Sequence, residues 1–340
     1  MAFSGFGPQS YLGRFWQIVK AETIRLRNVR YVSSEWRDGH FISTEDPIII
    51  GGCGRSGTTL MSVMLNSHSQ VYCGREDSLL LGHDFSLTCI ANDYGYDVVS
   101  LIKQARRFAN RGQFTEFLMR DQKQRRNVSR FATKQPHYAL NLPSLFHSFP
   151  CARFVYLCRD GRDVAVSLRK NERHMGQRYD RTHDATGMLS MTHCAEVWRL
   201  YVNAFYPFEN DRRCKLVRYE DLSTHPREVL VELCEFLGLP FEESMLSFHS
   251  GKGAEGRDDL SMPHLAKTKS PVDSSRIGVW KHELTVELVR EFEKHAGREL
   301  LHAGYELNEP MSTSCRAPSG DGQSVTRLQL VDMIDAISTS

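Results

Sequence analysis

From Gly51 to Leu60 the chain reads GGCGRSGTTL, where glycines, one cation and several hydroxyls stand close enough together to hold a single anion. Glycines let the backbone fold tightly, so that successive N–H groups and the start of a following helix point at one bound phosphate. Thr58 and Thr59 add hydroxyl donors. The spacing Gly52-x4-Gly57-Thr58-Thr59 fits the loop of nucleotide triphosphatases except at one place, because Thr58 stands where those enzymes carry the lysine that reaches the β- and γ-phosphates. The cation comes earlier, as Arg55. Such a loop suits a nucleotide whose second group is not a full γ-phosphoryl, and it argues against ordinary ATP hydrolysis or kinase chemistry. A glycine-rich turn without a ligand is the weaker reading once Arg55, both threonines and the preceding apolar run are counted together.

These residues need a frame, and the runs around them supply one. Ile48 to Ile50 is a short apolar strand leading into the loop, and a helical pattern starts near Thr58 and runs through Met64. Gln70 to Cys73 reads as a second strand, delivering Gly74-Arg75-Glu76-Asp77 at its end. Phe131 to Thr133 reads as another, ending at Lys134, with Pro136 and His137 in the turn that follows. Arg153 to Cys158 runs straight into Arg159-Asp160-Gly161-Arg162-Asp163 and a helix carrying Val164, Val166 and Leu168. Lys215 to Tyr219 is a further strand, before a helix from His225 to Leu237. Strands alternating with helices argue an α/β fold, a parallel β-sheet of P-loop type flanked by helices on both faces. In such sheets ligands gather at the carboxyl ends of the strands, and Arg55, Glu76, Lys134 and Arg159 all fall at such ends.

Composition limits the partners. The 340 residues carry a net charge of +2, which speaks against a general nucleic-acid binder, and nothing in the apolar content of 41% suggests disorder. Nine cysteines, an odd number without a CxxC pair, suggest neither zinc nor a redox dithiol and fit a reducing, cytoplasmic setting. No run of about 18 apolar residues offers a membrane span, and the N-terminus lacks a signal-like apolar stretch. The expected organisation is an N-terminal helical extension over 1–44, a main domain over 45–305, a flexible linker over 306–324 and an amphipathic C-terminal helix over 325–340. Within the main domain, residues 98–120 show helical periodicity, 186–208 reads as one long helix, 250–275 as a mobile loop before Arg276, and Thr285 to Ala303 as a last helix.

With these residues placed, about 45–305 resembles the sulfotransferases that use 3′-phosphoadenosine 5′-phosphosulfate, and within them the tyrosylprotein and related bacterial sulfotransferases. Gly54-Arg55-Ser56-Gly57-Thr58-Thr59-Leu60-Met61 is similar to the family's 5′-phosphosulfate loop, and Arg159-Asp160-Gly161-Arg162 through Ser167 is similar to its 3′-phosphate motif. The resemblance implies that Arg55, Ser56, Gly57, Thr58 and Thr59 hold the 5′-phosphosulfate and that Arg159 and Ser167 bind the 3′-phosphate. Tyr219, in Arg218-Tyr219-Glu220-Asp221-Leu222, would border the nucleotide. Ser275 and Arg276 would lie in its closing loop, with Ser274 and Ser275 replacing the family's basic pair.

Cys73-Gly74-Arg75-Glu76 resembles a cysteine-glycine-glutamate-glutamate run whose second glutamate is the proposed base, which gives Glu76 that role; Arg75 departs from the pattern. Lys134 matches a lysine that stabilises the transferring sulfuryl group. His137 follows it, and cytosolic members use a nearby histidine as base. The implied reaction is in-line transfer without a metal to a hydroxyl of a peptide tyrosine, a carbohydrate, a lipid or a small phenol or alcohol, releasing 3′,5′-adenosine bisphosphate. A homodimer stays open. The competing readings are a kinase-like phosphotransferase and a nucleotide-binding protein without catalysis.

Overall fold

Ile48, Ile49 and Ile50 are all fully buried, which a strand achieves only when both its faces are covered. In the computed structural model, which describes Trp36 and residues 40–77, 79–81, 85–175, 188–250 and 270–308, this run is strand β1 (Ile48–Gly52). The other strands are β2 (Val71–Glu76), β3 (Arg130–Lys134), β4 (Arg153–Cys158) and β5 (Cys214–Arg218). They form one sheet in the order β2-β3-β1-β4-β5, every neighbouring pair parallel. β1 is therefore central, and the loop after it leaves from the middle of the sheet's carboxyl edge.

The helices are α1 (Thr58–Asn66), α2 (Leu87–Tyr94), α3 (Val98–Ala105), α4 (Arg111–Arg126), α5 (Leu142–Ser148), α6 (Gly161–Met175), α7 (Met191–Phe205), α8 (Tyr219–Thr224), α9 (Pro226–Leu237), α10 (Trp280–Glu283) and α11 (Val286–His302). Strand periodicity divides them between two layers. Ile48 and Ile50 pack with Met61, Met64 and Leu65 of α1 and Leu230, Leu233 and Leu237 of α9. Ile49 faces the other way, into a core that includes Phe154, Tyr156, Trp198, Phe205 and Phe292. There Tyr156 of β4 stacks on Phe205 of α7 with ring centroids 4.1 Å apart. Each buried isoleucine contributes about 1.5–3 kcal/mol, so the three adjacent ones anchor the strand that feeds the loop.

The expected parallel α/β sheet with helices on both faces is the observed one, and the departures have local causes. Residues 98–120 form two helices, α3 and α4, because Asp97 and Asn110 each accept a backbone N–H of the turn that follows, from Ser100 at 2.8 Å and Gln113 at 2.9 Å. Two capping side chains in one periodic stretch start two helices. α2 was not anticipated; it is capped by Ser86 and closed by Gly95 at φ 72°. β2 runs on to Glu76, whereas β5 stops at Arg218 and Tyr219 opens α8. The expected long helix over 186–208 is α7 followed by a 3₁₀ turn, Tyr206–Phe208. Of the helical extension expected over 1–44 only Trp36 and residues 40–44 are described, and of the linker expected over 306–324 only 306–308; the C-terminal helix expected over 325–340 and most of the loop over 250–275 lie outside the described residues.

Candidate active site

The loop after β1 turns through three residues in the left-handed region, Gly52 at φ 144°, Arg55 at φ 70° and Gly57 at φ 96°. Gly52 is required there, because a Cβ at this position would lie 2.3 Å from the Leu157 carbonyl oxygen of β4. Arg55 holds a conformation that costs a non-glycine residue roughly 1–2 kcal/mol. α1 then begins at Thr58 with Gly57 as its cap, no side chain bonds to the cap position, and the first turn carries no acidic residue. Its N-terminal N–H groups and partial positive charge are thus left for a ligand. Ser56 is fully buried, and its Oγ has no hydrogen-bond partner among the described residues. Thr58 is buried beside it.

Two charges flank this loop on the strands to one side. Lys134, at the end of β3, is buried and donates to Thr59 Oγ1 at 3.3 Å; its ammonium also pairs with the carboxylate of Glu76 at the end of β2. Glu76 is half exposed, so the pair lies where a second substrate has access to the carboxylate. Asp77 extends the alignment past the strand: its N–H donates to the Lys134 carbonyl at 3.2 Å, and its buried carboxylate accepts from the hydroxyls of Tyr94, Thr133 and Tyr138 and from Leu79 N–H. Burial pushes the Asp77 carboxyl above its usual range against the pull of those hydrogen bonds.

On the other side three guanidinium groups converge. Arg55 Nε donates to Ser167 Oγ of α6 at 3.0 Å, and Arg159 donates to the carbonyls of both Arg55 and Arg276. Burial, then the neighbouring Arg159, lower the Arg55 pKa; Glu76 opposes that shift and Arg276 adds to it. Arg159 also lies over the Tyr219 ring at 4.4 Å, and its buried Nε has no partner among the described residues. The Tyr219 ring packs on the loop itself, where a Cβ on Gly57 would come within 2.7 Å of it. Crowded cations beside an orphaned buried hydroxyl and an orphaned N–H are the setting an anionic ligand relieves.

The structure therefore brings Arg55, Ser56, Gly57, Thr58, Thr59, Glu76, Lys134, Arg159, Ser167, Tyr219 and Arg276 to one edge of the sheet. Ser275 and His137 are not among them. Ser275 is exposed, and its hydroxyl and N–H both bond to the Asp273 carboxylate two residues earlier. An Asp at that spacing captures a serine locally, so Ser275 does not join the arginines. His137 is buried in the 3₁₀ turn Pro136–Asn141, its ring stacked on Tyr201 of α7 at 6.2 Å. Arg162 pairs with Asp160 and with Glu293 of α11, away from the loop. Sequence reasoning did not single out Asp77, Tyr201 or Asp163, whose partners come from distant parts of the chain. Only the placement of Asp77 directly after the end of β2, and of Asp163 in the charged run that follows β4, hinted at them.

The sulfotransferase family model matches residues 47–243, a span that takes in the loop, the strand-end charges, Arg159 and Tyr219. The chain is 25% identical over 262 residues to Protein-tyrosine sulfotransferase 1 of Danio rerio, covering 74% of this chain and 70% of that protein. To the protein-tyrosine sulfotransferase of Drosophila melanogaster it is 25% identical over 279 residues, covering 78% of this chain but only 53% of the fly protein. Among solved structures, the sulfotransferase domain from the curacin biosynthetic pathway has the same fold, with a TM-score of 0.58 and 24% identity over 77% of this chain and 99% of that one.

Proposed function

This chain belongs to the sulfotransferase family, and we propose that its sulfuryl donor is 3′-phosphoadenosine 5′-phosphosulfate and its acceptor a hydroxyl group. The observation that carries the donor reading is the convergence of Arg55, Arg159 and Arg276 beside a phosphate-binding loop that lacks the nucleotide-triphosphatase lysine. The loop amides, Ser56, Thr58 and Thr59 suit the 5′ end of such a nucleotide, and Arg159 with Ser167 suits a second phosphate. Ser56 Oγ and Arg159 Nε, both buried without a partner among the described residues, would find theirs there. Bound in this way, the donor supplies the sulfuryl group and a nucleoside bisphosphate as leaving group.

The chain's own residues then have separable tasks. Glu76 takes the proton of the attacking hydroxyl, a step worth about 10²- to 10⁴-fold. As its carboxylate is neutralised, the Lys134 ammonium that paired with it becomes available to the charge growing on the sulfuryl oxygens, which is where fixed cations lower the barrier. The names of the relatives support the phenol of a peptide tyrosine as the first acceptor to test. A cytoplasmic setting belongs to the same proposal, resting on the cysteine pattern of the sequence.

Calorimetry with 3′,5′-adenosine bisphosphate and ATP tests the donor, and transfer of labelled sulfate to tyrosine peptides, sugars and small phenols tests the acceptor. The bisphosphate should bind at least roughly tenfold more tightly than ATP, the value of one charge-assisted contact. Equal affinities would overturn the donor assignment and favour the phosphotransferase alternative.

A further inference from the structure

Asp163 lies in the first turn of α6, its side chain wholly inaccessible. Both its oxygens are used by a segment more than a hundred residues away in sequence: Gly278 N–H donates to Oδ2 at 2.8 Å and Trp280 N–H donates to Oδ1 at 3.0 Å. Two neighbours on the same stretch grip that segment as well. Arg159 donates to the Arg276 carbonyl, and the Arg162 guanidinium lies over the Trp280 ring at 3.8 Å while pairing with Glu293 behind it. Gly278 itself is left-handed at φ 68°, so the chain bends sharply between its two points of attachment.

A carboxylate that accepts two backbone N–H bonds fixes the peptide groups that carry them, and charge-assisted bonds of this kind are the strong ones. The segment so fixed begins with Arg276, whose carbonyl accepts from Arg159 and whose charge is one of those that lower the Arg55 pKa. Asp163 also lies 3.8 Å from Arg159 and offsets part of the repulsion among the three guanidinium groups. The carboxylate thus does two things at once: it ties down the stretch before α10 that holds Arg276, and it offsets part of the charge of the cation cluster before a ligand arrives.

We propose that Asp163 is a positioning residue for the sulfuryl donor, holding Gly278 and Trp280 against α6 so that Arg276 is preplaced beside Arg55 and Arg159. The role rests on the donor reading above and adds to it a residue that touches no substrate. Preplacement of this kind spares the ordering cost that a free segment would incur on binding.

The test uses the full chain and 3′,5′-adenosine bisphosphate as probe. Asp163→Asn keeps size and one acceptor oxygen but turns an NH₂ group towards an N–H, so it should weaken the bisphosphate by about tenfold or more. Arg276→Ala should weaken it comparably, and the double variant no further, because both changes remove the same contact. At saturating donor, kcat of Asp163→Asn should stay within about twofold, a split that general loss of structure would not give. Additive losses in the double variant, or unchanged binding in Asp163→Asn, would overturn the role. Amide hydrogen exchange of the unmodified, nucleotide-free protein decides the matter without a variant: Gly278 and Trp280 should be protected like the first turns of α6, and rapid exchange at both overturns preplacement. An unmodified chain that fails to bind the bisphosphate overturns the donor reading and this role together, whereas normal binding with an unaffected Asp163→Asn overturns the role alone.

Discussion

Glu76 stands opposite Lys134 because β2 carries one residue more than β3 over the same stretch. Cys73 pairs with Ala132 and Glu76 with Lys134, so three steps along β2 match two along β3, and a bulge absorbs the difference. In unbroken register Arg75 would face Lys134, two like charges side by side. The irregularity thus selects which residue of the Gly74-Arg75-Glu76 run becomes the lysine's partner.

The first prediction follows from that selection. Glu76→Gln should leave bisphosphate affinity nearly unchanged and lower kcat by at least about a hundredfold, the weight of a general base. Adding Arg75→Glu should not restore activity, since position 75 is not the paired one. His137→Gln should cost much less, because that ring is buried against Tyr201. Steady-state kinetics with a working acceptor decides the order. A larger loss for His137→Gln would move the base to the histidine.

Lys134 bonds both Thr59 of the loop and the candidate base, yet its main contribution belongs to the transition state. Lys134→Ala should depress kcat more than it raises the donor dissociation constant. Single-turnover kinetics and calorimetry separate the two quantities. A variant that binds donor poorly but turns over normally once saturated would reduce Lys134 to a binding residue.

What the sequence made legible was whatever is encoded locally. The three isoleucines of β1 and the run Arg153–Cys158 announce buried strands by composition alone, and the glycine spacing announces the turn after the first. The meeting of Arg55, Glu76, Lys134 and Arg159 followed from sheet topology, since parallel strands bring their carboxyl ends to one edge. The Glu76–Lys134 pairing was not readable, because a single extra residue in a ladder leaves no compositional mark. Asp163 lies 3.8 Å from Arg159 in its own run, but the two backbone N–H groups it also holds, at Gly278 and Trp280, were not readable because they come from more than a hundred residues away. Ser275 failed for the opposite reason: Asp273, two residues away, captured its hydroxyl.

Gly57 carries the third prediction. Its φ of 96° is unfavourable for any other residue, and an added Cβ would come within 2.7 Å of the Tyr219 ring. Gly57→Ala should therefore lose about 1–2 kcal/mol to backbone strain and displace the ring from beneath Arg159, weakening the bisphosphate. Tyr219→Ala alone should lose the stacking on Arg159, about 0.5–2 kcal/mol. In the double variant the clash disappears, so its loss of stability should be smaller than the sum of the single losses. Thermal unfolding and calorimetry on the three variants provide the check. Gly57→Ala as stable as the parent would mean that the ring does not confine the loop.

The last prediction concerns the entry to β1. Glu45 precedes the strand by a few residues and ties it to α4, accepting from Arg120 Nε at 2.8 Å and pairing with Lys123. Burial pushes the carboxyl up, but the hydrogen bonds and charges of Lys123 and Arg120 outweigh it, and the pKa falls below its ordinary 4.5. The sign follows from linkage: a carboxyl depressed in the folded state binds fewer protons there than in the unfolded chain, so it stabilises fully above the ordinary value and loses that contribution as pH falls through the folded one. Arg120 is largely exposed and solvent screens its share, so Glu45→Gln should lower stability at pH 7 by no more than about 1 kcal/mol. Urea unfolding at a series of pH values should show the parent and variant diverging at neutral pH and converging as the solution is acidified below 4.5, with the gap at pH 7 narrowing in high salt. A difference that persists unchanged into acid would mean that Glu45 acts through packing and not through its charge.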